Sequence, residues 1–95
     1  RPLEKRFGHD ARTFLEVGLR LGGGETDFGD ASFRLWPLPK IPLGYILWLG
    51  DEEFPARVVV TFDGSVEEQL PLDVIWALVN QVGGALLREA ESISS

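Results

Sequence analysis

The sequence predicts an α+β domain: an antiparallel sheet of three to four strands, built as a hairpin or meander, packed against N- and C-terminal helices in the order α-β-β-β-α. Three observations carry this. Two apolar runs, Leu43–Leu49 and Ala56–Phe62, are rich in β-branched and aromatic residues and flank a polar segment punctuated by Gly50 and Pro55, the pattern of a hairpin. Apolar residues near the start fall at Phe7, Ala11, Phe14 and Leu15, which are helical spacings. A longer helical stripe, Leu72, Ile75, Leu78, Val79, Val82, Leu86, Leu87 and Ala90, fills the C-terminal part.

Taken in order, Arg1–Lys5 is polar and reads as a frayed end. A helix is expected from about Gly8 to Leu21, with Asp10 favourable in its first turn and Gly22-Gly23-Gly24 stopping it, one of them in the left-handed C-cap conformation. Gly22–Asp30 is then a turn-rich loop. A phosphate-binding glycine loop should follow a strand and open a helix; this one follows a helix and enters a strand.

Ala31–Trp36 alternates, with Ser32, Arg34 and Trp36 on one face and Ala31, Phe33 and Leu35 on the other. Pro37, Pro39 and Pro42 rule out helix and argue against a central ladder, so extended polyproline-like backbone is expected there, with Leu38 and Ile41 as anchors into the core. Leu43–Leu49 has few polar atoms on either face, as for a strand covered on both sides. Ala56–Phe62 alternates, Val58, Val60 and Phe62 facing one way and Arg57, Val59 and Thr61 the other.

Asp63-Gly64-Ser65 is a turn signal, and Ser65-Val66-Glu67-Glu68 matches a capping box. Pro71 and Asp73 suit the first turn of the last helix. Gly83-Gly84 interrupts that helix at about 1 kcal/mol per Gly relative to Ala, which points to a kink or a close helix–backbone contact. Trp76 lies off the stripe and is expected exposed or against a partner. Ser92–Ser95 reads as a loose tail.

Composition narrows the function classes. Ninety-five residues make one small domain, residues 1–95, and a chain opening on Arg1 reads as a fragment of something longer. No run of apolar residues is long enough to span a bilayer, and no signal-peptide pattern is present, so no membrane association is expected. The chain has no Cys, which excludes disulfides, thiolate metal ligands and Cys nucleophiles in this segment and fits a reducing cytoplasm. A net charge of −6 without a dense Lys/Arg cluster argues against nucleic acid.

The candidate chemistry is sparse. Asp51, Glu52 and Glu53 form the densest acidic cluster, and Mg²⁺ or Ca²⁺ would favour such oxygens. Yet adjacent residues of a strand-like loop point apart, and a solvated loop that blocks edge pairing is the simpler reading. His9, the one imidazole, could join carboxylates at a metal or act as a base, but its place beside Asp10 at a helix start reads as surface. Trp36, Trp48 and Trp76, with Tyr45, could line a pocket; such residues are more often core or interface anchors.

One set of motifs carries a resemblance. Gly29-Asp30-Ala31-Ser32-Phe33, Leu38-Pro39 with Ile41-Pro42-Leu43, Trp48, Gly50-Asp51-Glu52-Glu53-Phe54-Pro55-Ala56, Phe62-Asp63 with Ser65, and Leu70-Pro71 together resemble the prokaryotic domain-of-unknown-function family 3786. The pattern spans Gly22 to Asp73, and the acidic GDEEFPA block with the LP-x-x-P spacing gives it specificity. The resemblance implies that the chain is the C-terminal part of a longer domain, typical of anaerobic bacteria and archaea. Some members carry a four-cysteine iron–sulfur motif ahead of the domain, which this Cys-free chain does not contain. The resemblance implies no catalytic residues.

The expectation is therefore a non-enzymatic binding or interaction module, an accessory protein of anaerobic metabolism, meeting a partner chain, a second copy or the N-terminal part of a longer domain through Trp36, Trp48 or Trp76. Two alternatives stay open: a metal-dependent enzyme using Asp51, Glu52, Glu53 and His9, and a small-molecule or cofactor pocket beneath Pro37–Pro42. The residues name no cofactor.

Overall fold

The computed structural model describes the backbone of residues 2–62 and 64–94, and the side chains of these except residues 64, 67 and 94. The elements are α1 (Pro2–Phe7), α2 (Ala11–Arg20), β1 (Gly24–Glu25), β2 (Ala31–Leu38), β3 (Ile41–Trp48), β4 (Arg57–Phe62), α3 (Gly64–Gln69) and α4 (Leu72–Ser94). The strands form one antiparallel meander in the order β1-β2-β3-β4. The α+β class and the sheet between terminal helices are those the sequence predicts.

Strand alternation sorts the sheet into two faces. The cross-strand rows Phe33–Tyr45–Val60, Leu35–Leu43–Phe62 and Ala31–Leu47–Val58 point to the helices. There they join Phe14 and Val17 of α2, Leu86 and Ala90 of α4 and Phe7 of α1 in one core. A chain of rings crosses this core: Phe7 meets Phe14 edge-on at 5.4 Å, Phe14 meets Phe33 at 4.8 Å, and Phe33 stacks on Tyr45 at 5.6 Å. Gly18 lets α2 lie flat on Phe33, because a Cβ there would overlap three atoms of that ring. A smaller cluster of Ile41, Val66 and Ile75 seats α3 at the turn end of the sheet. Arg20 and Glu89, 3.3 Å apart and both partly exposed, add an α2–α4 ion pair worth at most about 1 kcal/mol.

Helix α2 has well-defined ends. The Asp10 carboxylate accepts from the Thr13 backbone N–H at 3.1 Å, so Asp10 is the N-cap rather than a first-turn residue. Hydrogen bonding from the Thr13 side chain, together with that backbone bond, holds its carboxyl below the usual carboxylate range. At the other end Gly22, at φ 91°, takes the left-handed position. Gly22 N–H bonds Leu19 O and Gly23 N–H bonds Gly18 O, the paired bonds of a Schellman motif.

Several local expectations are corrected. The start is helical from Pro2 to Phe7 rather than frayed, because Phe7 is fully buried; Arg1 lies outside the described residues. The expected single helix from Gly8 is broken at residues 8–10, where Gly8 sits too close to Glu4 O and Ala56 to carry a Cβ. The loop after α2 contributes β1, a two-residue strand.

Pro37–Pro42 is not an extended polyproline-like segment but the tip of the β2–β3 hairpin. Leu38 pairs with Ile41, so Pro39 and Lys40 form a two-residue turn, with Lys40 left-handed at φ 66° where glycine would be usual. The ladder tolerates the flanking prolines for separate reasons. Pro37 lies in the irregularity between Leu35 and Leu38, and Pro42 lies beyond Leu43–Phe62, the last β3–β4 pair. Ile41 is buried as expected, whereas Leu38 is exposed.

Strand β3 is covered on one side only: Ile41, Leu43, Tyr45 and Leu47 are buried, Pro42, Gly44 and Ile46 half-buried, and Trp48 exposed. Helix α3 begins at Gly64, so Ser65 lies inside it and is not the cap of the expected box; Asp63 lies outside the described residues. Helix α4 runs from Leu72 through Gly83-Gly84 to Ser94 without a break, and a Cβ on Gly83 would meet Leu3 of α1 at 3.9 Å. Of the expected loose tail Ser92–Ser95, residues 92–94 are part of that helix, and Ser95 lies outside the described residues.

Candidate functional site

The acidic loop, residues 49–56, joins β3 to β4 as expected. Asp51 organises it: one carboxylate oxygen accepts from the N–H groups of Glu53 at 2.8 Å and Phe54 at 2.7 Å, while Asp51 N–H bonds Phe54 O at 2.9 Å. This is an Asx turn, in which the side chain replaces missing backbone partners. Glu52 and Glu53 are exposed. The loop is tied down at its start, where Asp30 accepts from Leu49 N–H at 2.7 Å and Gly50 N–H bonds Gly8 O at 3.0 Å. That contact brings His9 beside Gly50. His9, Asp30 and Asp51 thus share one end of the molecule, but among the described residues no group of three or more His, Asp or Glu side chains is placed to hold a metal ion.

The three tryptophans separate. Trp48 ends β3 on the face away from the helices, with the Arg57 guanidinium 5.6 Å from its ring. Trp36 is exposed at the β2 irregularity, two residues beyond Arg34. Between them the outer rows are Ser32–Ile46–Val59 and Arg34–Gly44–Thr61. Gly44 contributes no side chain to the second row, and Thr61 Oγ1 occupies the place of its Cβ. The loop at 26–30 covers one corner of this face: Ser32 Oγ accepts from Thr26 Oγ1 at 2.7 Å and from Phe28 N–H at 2.9 Å, which satisfies a fully buried hydroxyl. The remainder presents Ile46, Trp48, Val59 and Trp36 with Arg34 and Arg57. At its Trp48 end lies a depression of about 450 Å³ lined by Trp48, Leu49, Phe54 and Arg57 among others.

Trp76 is 55% exposed on α4 and belongs to another surface. It forms one wall of a groove of about 590 Å³ between α1, the β4 edge and α4, with Leu3, Val58, Val60, Val79 and Leu87 as apolar lining and Glu4 and Asn80 as polar groups. These concavities are lined by residues outside 37–42, the segment beneath which a pocket was expected. Sequence reasoning missed the groove because Pro2–Glu4 reads as a frayed end. The signal that could have found it is Gly83-Gly84, two helix-interior glycines that leave one side of α4 without bulk.

A family model matches residues 1–84 of the chain, well beyond the motif-bearing stretch Gly22–Asp73. This chain belongs to the family Domain of unknown function (DUF3786). The DUF3786 match takes in α1 and α2 as well as the sheet, so the narrower reading of the chain as only the C-terminal part of the family's domain is not borne out. Neither a curated protein nor a solved structure matches this DUF3786 chain significantly. No described helix is long and apolar enough to cross a membrane.

Proposed function

We propose that this DUF3786 domain is a non-enzymatic interaction module, an accessory protein of anaerobic metabolism in the cytoplasm, whose outer sheet face docks a partner chain or a second copy. The observation that carries this is the open face of β2–β3–β4. An antiparallel sheet with one solvated face normally alternates apolar with polar residues. Here the solvated side places Ile46 and Val59 in one row and Trp48 in the next, with Trp36 at the opposite end past the Arg34–Gly44–Thr61 row. Trp and Arg together are the side chains enriched where protein interfaces concentrate their binding energy. Arg57 on the Trp48 ring and Arg34 beside Gly44 have that composition.

The test combines light scattering across a concentration series with capture of partners by the intact domain. A dimer or a defined complex is expected. It should be lost in Trp36→Asp/Trp48→Asp and kept in Leu72→Asp, which places a charge at an exposed site away from the face. A strict monomer whose captured proteins are the same for all three forms would overturn the reading.

A further inference from the structure

The groove of α1, β4 and α4 has a chemistry that the outer sheet face lacks, and it stands on separate observations. Its walls are apolar: Leu3 from α1, Val58 and Val60 from the edge strand, and Val79, Leu87 and the Trp76 indole from α4. Gly83 keeps it open, since the nearest atom to a Cβ there is Leu3 Cδ1 at 3.9 Å. Among the described residues one charged side chain lines it. Glu4 is half-buried, and its carboxylate takes a single long bond, 3.4 Å, from the Val58 N–H. No cation pairs with Glu4 among the described residues. Arg88 lies along α4 beside Gly84 and is not part of the lining.

We propose that this groove binds a small apolar molecule bearing a single cationic amine. The volume, about 590 Å³, lies within the size range of small-molecule sites. An apolar body would cover the valine and leucine walls. An ammonium group would find the Glu4 carboxylate, and the Trp76 indole that lines the same groove can attract a cation through its quadrupole. The net charge of −6 draws cations toward the chain and disfavours anions, which would meet Glu4 with no lining cation among the described residues to offset it.

The experiment compares octylammonium with octanoate, equal in length and opposite in charge. Binding is followed by Trp76 emission in a Trp36→Phe/Trp48→Phe background and by the shift in melting temperature. Octylammonium should bind and octanoate should not. Glu4→Gln keeps an acceptor for the Val58 N–H but removes the charge, and it should weaken octylammonium about tenfold, the contribution of one charge-assisted contact. Gly83→Leu fills the groove at a helix-favouring position and should abolish binding while leaving the domain folded. Octanoate binding as tightly, no octylammonium binding, or octylammonium binding indifferent to Glu4→Gln or Gly83→Leu would each overturn the proposal. So would tighter binding of acetyl-Leu-Lys-Leu-amide, which would make the groove a dock for a basic peptide segment. None of these outcomes bears on the outer sheet face, since the background variant removes Trp36 and Trp48.

Discussion

Tyr45 offers a direct test of how the core is built. It is the one tyrosine in the chain, so phenolate absorbance reports on it alone. The ring is fully buried, stacked on Phe33, and its hydroxyl donates to the Val79 carbonyl of α4 at 3.4 Å. Burial disfavours the phenolate and pushes its pKa well above the ordinary 10.0. The folded-state value therefore exceeds the unfolded one. The contribution to stability is fully present below about pH 10 and is lost as pH rises toward the folded value, at about 1.4 kcal/mol per pH unit for one proton. A domain of this size has roughly 5–14 kcal/mol to lose, so two pH units remove a substantial share. Absorbance and circular dichroism followed together from neutral to strongly alkaline pH should change as one transition, the phenolate appearing as the fold is lost. Tyr45→Phe should flatten the alkaline decline in stability. Phenolate appearing near pH 10 while the far-ultraviolet spectrum stays native would refute the packing of Tyr45 beneath α4.

Gly18→Ala sets two effects against each other. Helix propensity favours Ala by about 1 kcal/mol, but the added methyl overlaps a Phe33 ring held between Phe14 and Tyr45, and overpacking of this kind costs about 1–3 kcal/mol. A net loss of about 1 kcal/mol, a fall of roughly 4–8 °C in Tm, is expected by calorimetry, with Gly24→Ala, which has open space, as a nearly neutral control. At the acidic loop, millimolar Mg²⁺ or Ca²⁺ should leave Tm unchanged, because Asp51 is already engaged by two backbone N–H groups. A rise in Tm that Asp51→Asn with Glu53→Gln abolishes would instead support the metal reading.

The legible parts of the fold are those where one periodicity dominates. Val58, Val60 and Phe62 alternate cleanly, and Ile75, Leu86 and Ala90 keep helical spacing, so β4 and α4 stand out in the sequence. What escaped depends on contacts between distant segments. PLEKRF looks polar because its two apolar residues, Leu3 and Phe7, are a single turn apart; its helix forms because Phe7 is buried against Phe14. The β2–β3 turn was hidden because Lys40 takes a conformation usually left to Gly or Asn, at a cost of roughly 1–2 kcal/mol. The sidedness of β3 was misread for a related reason. Ile46 and Trp48 look like core residues, and only the placement of α2 and α4 on the same side of the sheet shows that they are not. As for the candidate site, the acidic loop and the exposure of Trp76 were legible, but not that Trp36 and Trp48 share a face while Trp76 belongs to a groove.

That sidedness is why the outer face, rather than the acidic loop, carries the functional reading. The loop's one engaged carboxylate, Asp51, is accounted for by the turn it closes, and the pKa shifts at Asp10 and Tyr45 follow from a helix cap and from core packing. The outer face has no such internal account. Moving a large apolar side chain from water into an interface is worth about 1.5–3 kcal/mol. Trp48 at 42% exposure and Trp36 at 51% each retain about half of that. Together with half-buried Ile46 and Val59 they leave several kcal/mol unrealised on one side of a four-stranded sheet, next to two arginines without ion-pair partners among the described residues. A sheet that spent these positions on Thr, Lys or Glu would fold around the same core. On the proposed reading, the exposed half of these aromatic and branched residues gains its free energy when a second surface covers it, and an assembly lost in Trp36→Asp/Trp48→Asp would be the direct measure of it.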